Sequence, residues 1–95
     1  MDIPEIPLIP QPESEEARAA LGFKWASPEI GHRHQLGGSP SWLQGEQWPV
    51  CCDKPMTFYG QLDSIGDDIC LADCGLIYVF VCFDCFETRS VLQCG

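Results

Sequence analysis

The stretch Met56-Thr-Phe-Tyr-Gly-Gln-Leu-Asp63 alternates in character with a period of two. Met56, Phe58, Gly60 and Leu62 fall on one side, and Thr57, Tyr59, Gln61 and Asp63 on the other. Successive side chains of a β-strand point to opposite faces, so the pattern predicts a strand with one buried face. Toward the C-terminus, residues 64–75 (SIGDDICLADCG) carry acidic and glycine signals and read as a loop. Residues 74–83 (CGLIYVFVCF) form a nearly continuous apolar run of β-preferring side chains. That predicts a central strand covered on both faces. Residues 83–88 (FDCFET) read as a turn and 89–94 (RSVLQC) as a closing strand.

Toward the N-terminus the signals change. Pro4, Pro7, Pro10 and Pro12 crowd residues 1–13, which reads as an extended arm. Ile3, Ile6, Leu8 and Ile9 are apolar, so the arm is expected to lie on the domain. Ser14 is placed to cap a short helix over 15–22 (EEARAALG), with Glu15 and Glu16 at its positive end and Gly22 as its stop. Residues 23–49 are rich in Gly and Pro and read as turns joining short strands. The expected class is therefore α+β and β-rich. It comprises an arm over 1–13 and one small domain over 14–95, with an antiparallel sheet, one short N-terminal helix and a zinc-knuckle-like end.

The chain has 95 residues, enough for one domain with a thin core that a metal, a disulfide or a partner can staple. Seven cysteines are present, an odd number for a disulfide framework. No secretory signal and no membrane-length apolar run is seen, so a cytoplasmic setting with reduced thiols is expected. There, cysteines read as metal ligands or as core residues.

Cys82-x-x-Cys85 ends a predicted strand, a spacing that lets two thiolates reach one tetrahedral ion. Cys51 and Cys52 precede the neighbouring strand. Adjacent residues point apart on an extended chain, so both can reach one ion only through an unusual turn. Cys51, Cys52, Cys82 and Cys85 are the candidate ligands for Zn2+. Cys94, Asp53, His32 and His34 compete with Cys51 for the fourth place. Cys70, Cys74 and Cys94 read instead as small buried hydrophobes. A redox reading of Cys82 and Cys85 needs a helix after the motif, and none is predicted. A hydrolase reading fails too, because no strand-serine-helix elbow surrounds Ser39 or Ser41.

The formal charge is −9, from 14 acidic and 5 basic residues. A phosphate-backbone binder needs clustered Lys and Arg, so nucleic acid and anionic membranes are excluded as expected partners. Opposite fields steer encounter, which favours a basic protein partner. Glu13, Glu15, Glu16, Asp63, Asp67 and Asp68 are the candidate acidic face. Trp42 and Trp48 are candidates for partner anchors, against the competing reading that they pin their loop to the core.

Taken in order, His34-x-x-Gly37-Gly38-x-Pro40-x-Trp42-x-Gln44, then Cys52 with Met56, Phe58, Gln61 and Leu62, then the aromatic strand ending at Cys82 and Cys85, resemble the YwqG-like family of bacterial proteins. A more distant likeness is to the programmed-cell-death-2 family. The resemblance spans residues 31–94. It implies a β-rich domain, often with a zinc knuckle, and no established enzymatic activity. Some relatives are immunity proteins that block a cognate toxin. One departure stands out: the family's first cysteine corresponds here to Pro49, and Cys51 replaces it only if the turn is two residues shorter. The function expected is that of a small acidic zinc-binding interaction module of the immunity or antitoxin type, not an enzyme. The alternatives are a metal- or thiol-dependent enzyme using Cys82 and Cys85, or a domain with a structural zinc and no toxin partner.

Overall fold

A computed structural model describes residues 2–9, 14–16, 33–64, 71 and 75–94. Seven strands are present in chain order: β1 (Ile6–Pro7), β2 (Gln35–Leu36), β3 (Val50–Cys51), β4 (Lys54–Pro55), β5 (Thr57–Asp63), β6 (Leu76–Val81) and β7 (Thr88–Gln93). Five make one antiparallel sheet in the order β1-β2-β5-β6-β7, and β3 and β4 form a separate hairpin. This corrects the α+β expectation. Every element among the described residues is a strand. The helix expected over 15–22 lies outside them, apart from Glu15 and Glu16. The same holds for much of the loop expected over 64–75.

The strand expected at 56–63 forms, but its faces exchange part-way. Phe58 pairs with Phe80 and Gly60 with Val79, so Tyr59 is an extra residue in a β-bulge. One inserted residue reverses the side-chain alternation beyond it. Before the bulge, Met56 and Phe58 are buried as expected. After it, Gln61 and Asp63 turn inward, while Leu62 is left 49% exposed. On β6 the expectation of two covered faces is met on one side. Leu76, Tyr78 and Phe80 are fully buried, and Ile77, Val79 and Val81 are half-buried. With Met56, Phe58 and Cys82 these three make the core.

The lid of that core is the loop over 39–49, and buried polar side chains hold it. On β5, Gln61 accepts from the Ser41 amide (3.0 Å) and donates to Ser41 Oγ (3.1 Å). On β6, Tyr78 donates to the Ser41 carbonyl (2.7 Å). On β7, Gln93 accepts from the Leu43 and Gln44 amides and donates to the Gly45 carbonyl and Gln47 Oε1. An irregular loop lacks a ladder of its own, so these side chains satisfy backbone groups that the core would otherwise leave unpaired. Trp42 then packs on Tyr78 with ring centroids 4.8 Å apart and stacks on Phe80 at 6.1 Å. Trp48 meets Phe80 edge-on, and its indole N–H donates to the Met56 carbonyl at 2.6 Å. Both tryptophans, each half-buried, thus pin the loop to the core, the second of the two readings.

Within the described part of the arm, residues 2–9, Ile6–Pro7 adds an edge strand beside β2. Gly37 and Gly38 make this approach feasible. Both have positive φ, 61° and 71°, a region that costs other residues energy. A Cβ on Gly37 would also lie 2.3 Å from the Pro4 carbonyl oxygen.

Candidate metal centre

The centre is built from two turns at one end of the sheet, where the start of β5 pairs with the end of β6. The first turn closes the β3–β4 hairpin. Cys51 pairs with Lys54, leaving Cys52 and Asp53 as a two-residue turn. Both have positive φ, 53° and 62°, as a type I′ hairpin turn demands at its two central positions. The fold supplies here the turn that adjacent cysteines require. A strand residue and the first turn residue no longer point apart, and the Sγ atoms of Cys51 and Cys52 lie 3.9 Å from each other.

The second turn links β6 to β7. Val81 pairs with Thr88, the Cys82 amide donates to the Glu87 carbonyl, and the Phe86 amide donates back to the Cys82 carbonyl. Phe86 has φ 62°, which allows this tight return and leaves its ring on the surface against Phe83. The amides of Cys85 and Asp84 both donate to the Cys82 sulfur. They stabilise its thiolate and lower its pKa from the ordinary 9.0 to about 7.

Together the turns bring the sulfurs of Cys51, Cys52, Cys82 and Cys85 within 4.8 Å of one another. A tetrahedral zinc with Zn–S bonds of about 2.3 Å separates its sulfurs by about 3.8 Å. The Cys51–Cys85 and Cys51–Cys52 separations of 3.5 and 3.9 Å bracket that value. The four cysteines close together could bind a metal ion, and their soft donors and spacing suit a tetrahedral one. Cys51 is the fourth member of the group; Asp53, Cys94 and His34 are not part of it. His32, Cys70 and Cys74 lie outside the described residues.

Charge around the sulfurs is arranged unevenly. Cys51 donates to Glu87 Oε2 (3.2 Å), and this carboxylate, then the neighbouring Cys85, holds its thiol protonated well above the ordinary range. The contact with Cys82 pushes the Cys52 thiol up as well. Four anionic sulfurs so close together repel, and a bound dication would be the charge that lets all four ionise. Lys54 on the first turn pairs with Asp84 on the second at 2.7 Å, and this carboxylate raises the lysine pKa. The pair ties the two turns together, although exposed pairs are worth only about 0–1 kcal/mol.

Of the expected acidic face, Glu15 and Glu16 are exposed, while Glu13, Asp67 and Asp68 lie outside the described residues. Asp63 does not belong to it. It is 3% exposed, and its carboxylate accepts from Arg33 at 2.8 Å (Nη2) and 3.0 Å (Nε). The bulge explains this, since it turns Asp63 from the outer face to the inner one. The roles of Arg33, Gln61 and Gln93 escaped sequence reasoning, because nothing in a local pattern marks a polar side chain as a loop holder. His34 Nδ1 accepts from the Asp63 amide at 3.0 Å, and Ser41 Oγ accepts from Gln61.

No family model matches the chain, and no solved structure matches it. It is similar to the uncharacterized protein YpfL of Salmonella typhimurium, at 35% identity over 63 residues. That stretch is 62% of this chain and spans 14% of YpfL. No helix among the described residues is long and apolar enough to cross a membrane.

Proposed function

We propose that this chain is a small acidic protein-interaction module whose sheet is stapled at one end by a structural Zn2+ on Cys51, Cys52, Cys82 and Cys85. The observation that carries the reading is the meeting of four sulfurs from two separate turns, all within 4.8 Å of one another, with two of the separations, 3.5 and 3.9 Å, close to the edge of a zinc tetrahedron. Four thiolates would complete the coordination and leave no open position for water or substrate, which supports binding over catalysis. The same point weighs against a metal-dependent enzyme. The thiol-redox alternative loses support because Cys82 and Cys85 sit in a strand-to-strand turn, not at a helix start.

The charge of −9 supports a basic protein as the partner. The resemblance to the YwqG-like family favours a toxin domain blocked by this chain in the cytoplasm. Purified under reducing conditions, the protein should carry one zinc per chain by native mass spectrometry, with thiolate ligands at about 2.3 Å by X-ray absorption. A folded, metal-free protein indifferent to chelator would end the zinc reading. Capture of a basic protein from the native host, with association slowing as salt rises from low to physiological strength, would support the partner reading. Salt-independent capture of an acidic protein would refute it.

A further inference from the structure

The four sulfurs are not equivalent, and their differences select one pair for a second chemistry. Cys82 is 4% exposed, and its sulfur receives two amide hydrogen bonds from its own turn. Cys85 and Cys52 are exposed and Cys51 is half-buried. Cys51 and Cys85 come from different turns, 34 positions apart in sequence, and their sulfurs are 3.5 Å apart. Cys51 and Cys52 are poor disulfide partners. Neighbouring Cα atoms across a trans peptide lie about 3.8 Å apart, below the roughly 4.4 Å that a disulfide ordinarily spans.

We propose that Cys51 and Cys85 form an oxidative modification site: a two-electron oxidant of the peroxide class joins them in a disulfide between the two turns and releases the metal. The exposed Cys85 thiolate attacks one peroxide oxygen; the O–O bond breaks, hydroxide leaves, and the sulfur becomes a sulfenic acid. Cys51, ionised by the metal or, in the metal-free chain, by passing its proton to Glu87 Oε2 at 3.2 Å, attacks that sulfur and expels a second hydroxide. Two thiolates and one hydrogen peroxide thus give one disulfide and two hydroxides, with two electrons passing from sulfur to oxygen. The metal loses two of its four ligands and leaves. The disulfide ties the β3–β4 turn to the β6–β7 turn as the metal did, so the sheet survives the loss. The metal-release step rests on the zinc reading above; the choice of Cys51 and Cys85 rests on the sulfur geometry alone.

The test treats the full chain, loaded with zinc, with one equivalent of hydrogen peroxide beside a zinc indicator. Differential alkylation and peptide mapping follow. The expected result is about one zinc released per disulfide formed, a dominant Cys51–Cys85 linkage, and a monomer that melts cooperatively at a higher temperature than the reduced metal-free chain. Cys51→Ser should abolish the disulfide and Cys52→Ser should keep it. Wild-type mapping decides the matter even if a variant misfolds. A dominant Cys82–Cys85, Cys52–Cys85 or intermolecular linkage, or sulfinic acid without a disulfide, overturns the proposal. If the protein carries no zinc, mapping the metal-free chain still tests the pairing. A Cys51–Cys85 product there upholds the modification site while the zinc reading falls.

Discussion

Replacing Gln93 by Leu removes four hydrogen bonds while keeping a side chain of similar size. Gln93 is wholly buried at the end of β7. It accepts from the Leu43 and Gln44 amides, both at 2.9 Å, and donates to the Gly45 carbonyl at 2.6 Å and to Gln47 Oε1 at 2.8 Å. Gln44, Gly45 and Gln47 are exposed, so water can replace their lost partner. Leu43 packs against the core, and its amide has no such replacement. One buried orphan costs about 1–3 kcal/mol, and each exchanged bond adds a smaller loss, for about 2–4 kcal/mol in all. In a domain of this size that is a fall of roughly 10–30 °C in melting temperature. Thermal melts by circular dichroism measure it. Tryptophan fluorescence reports the loop separately, because Trp42 sits between Ser41 and Leu43 and stacks on Tyr78 and Phe80. The metal centre is at the opposite end of β7, so zinc content should not change. A Gln93→Leu protein within about 0.5 kcal/mol of the wild type would refute the idea that this side chain holds the lid.

The cysteines should separate into two groups: Cys82→Ser and Cys85→Ser each lose zinc and stability together, while Cys94→Ser keeps both, as measured by metal analysis and melts. Asp63→Ala leaves Arg33 without its buried acceptor and should cost about 3 kcal/mol, near the low end for a broken buried pair because the arginine side chain is 23% exposed; denaturant titration checks it. Gly37→Ala should free the arm while sparing the β5–β7 sheet, seen as faster amide exchange at Gly38, which donates to the Ile3 carbonyl, with protection kept at β6. In the metal-free protein, the lowered pKa of Cys82 gives a stability contribution that is complete above the ordinary 9.0 and is lost as pH falls through about 7. The raised pKa values of Cys51 and Cys52 work in the opposite sense, contributing below 9.0 and losing that contribution at higher pH. Stability of the metal-free chain should therefore rise from pH 7 toward 9 and decline above it, in urea titrations at a series of pH values.

Three strands could be read from local pattern. Period-two alternation at 56–63, an apolar run at 74–83 and a polar–apolar close at 89–94 each reflect burial of one or both strand faces, and β5, β6 and β7 form where they indicate. The cysteine spacing similarly pointed to the group of Cys51, Cys52, Cys82 and Cys85 that the fold brings together, because Cys-x-x-Cys closes a metal turn by itself and Cys52 resembles a family position. The crowded prolines gave an extended arm and its apolar residues a place on the domain, but the edge pairing of Ile6–Pro7 was not legible, since proline density argues against a ladder and an edge strand tolerates it.

Tertiary structure decided the rest. The Tyr59 bulge exists because β5 must pair with β6 on one side of its kink and with both β2 and β6 on the other. That placement turned Gln61 and Asp63 inward against the alternation, and no local pattern records it. Whether Cys51 could join Cys52 depended on positive φ at Cys52 and Asp53, and neither residue is a glycine that would have announced it. The fate of Trp42 and Trp48 depended on whether a Gly- and Pro-rich loop folds back over the sheet. That was settled by Gln61, Tyr78 and Gln93, three polar side chains on separate strands. Sequence fixes the character of each side chain and the period with which characters recur. Which face a strand shows and which sulfur completes a centre depend on neighbours distant in the chain, and only packing brings those together.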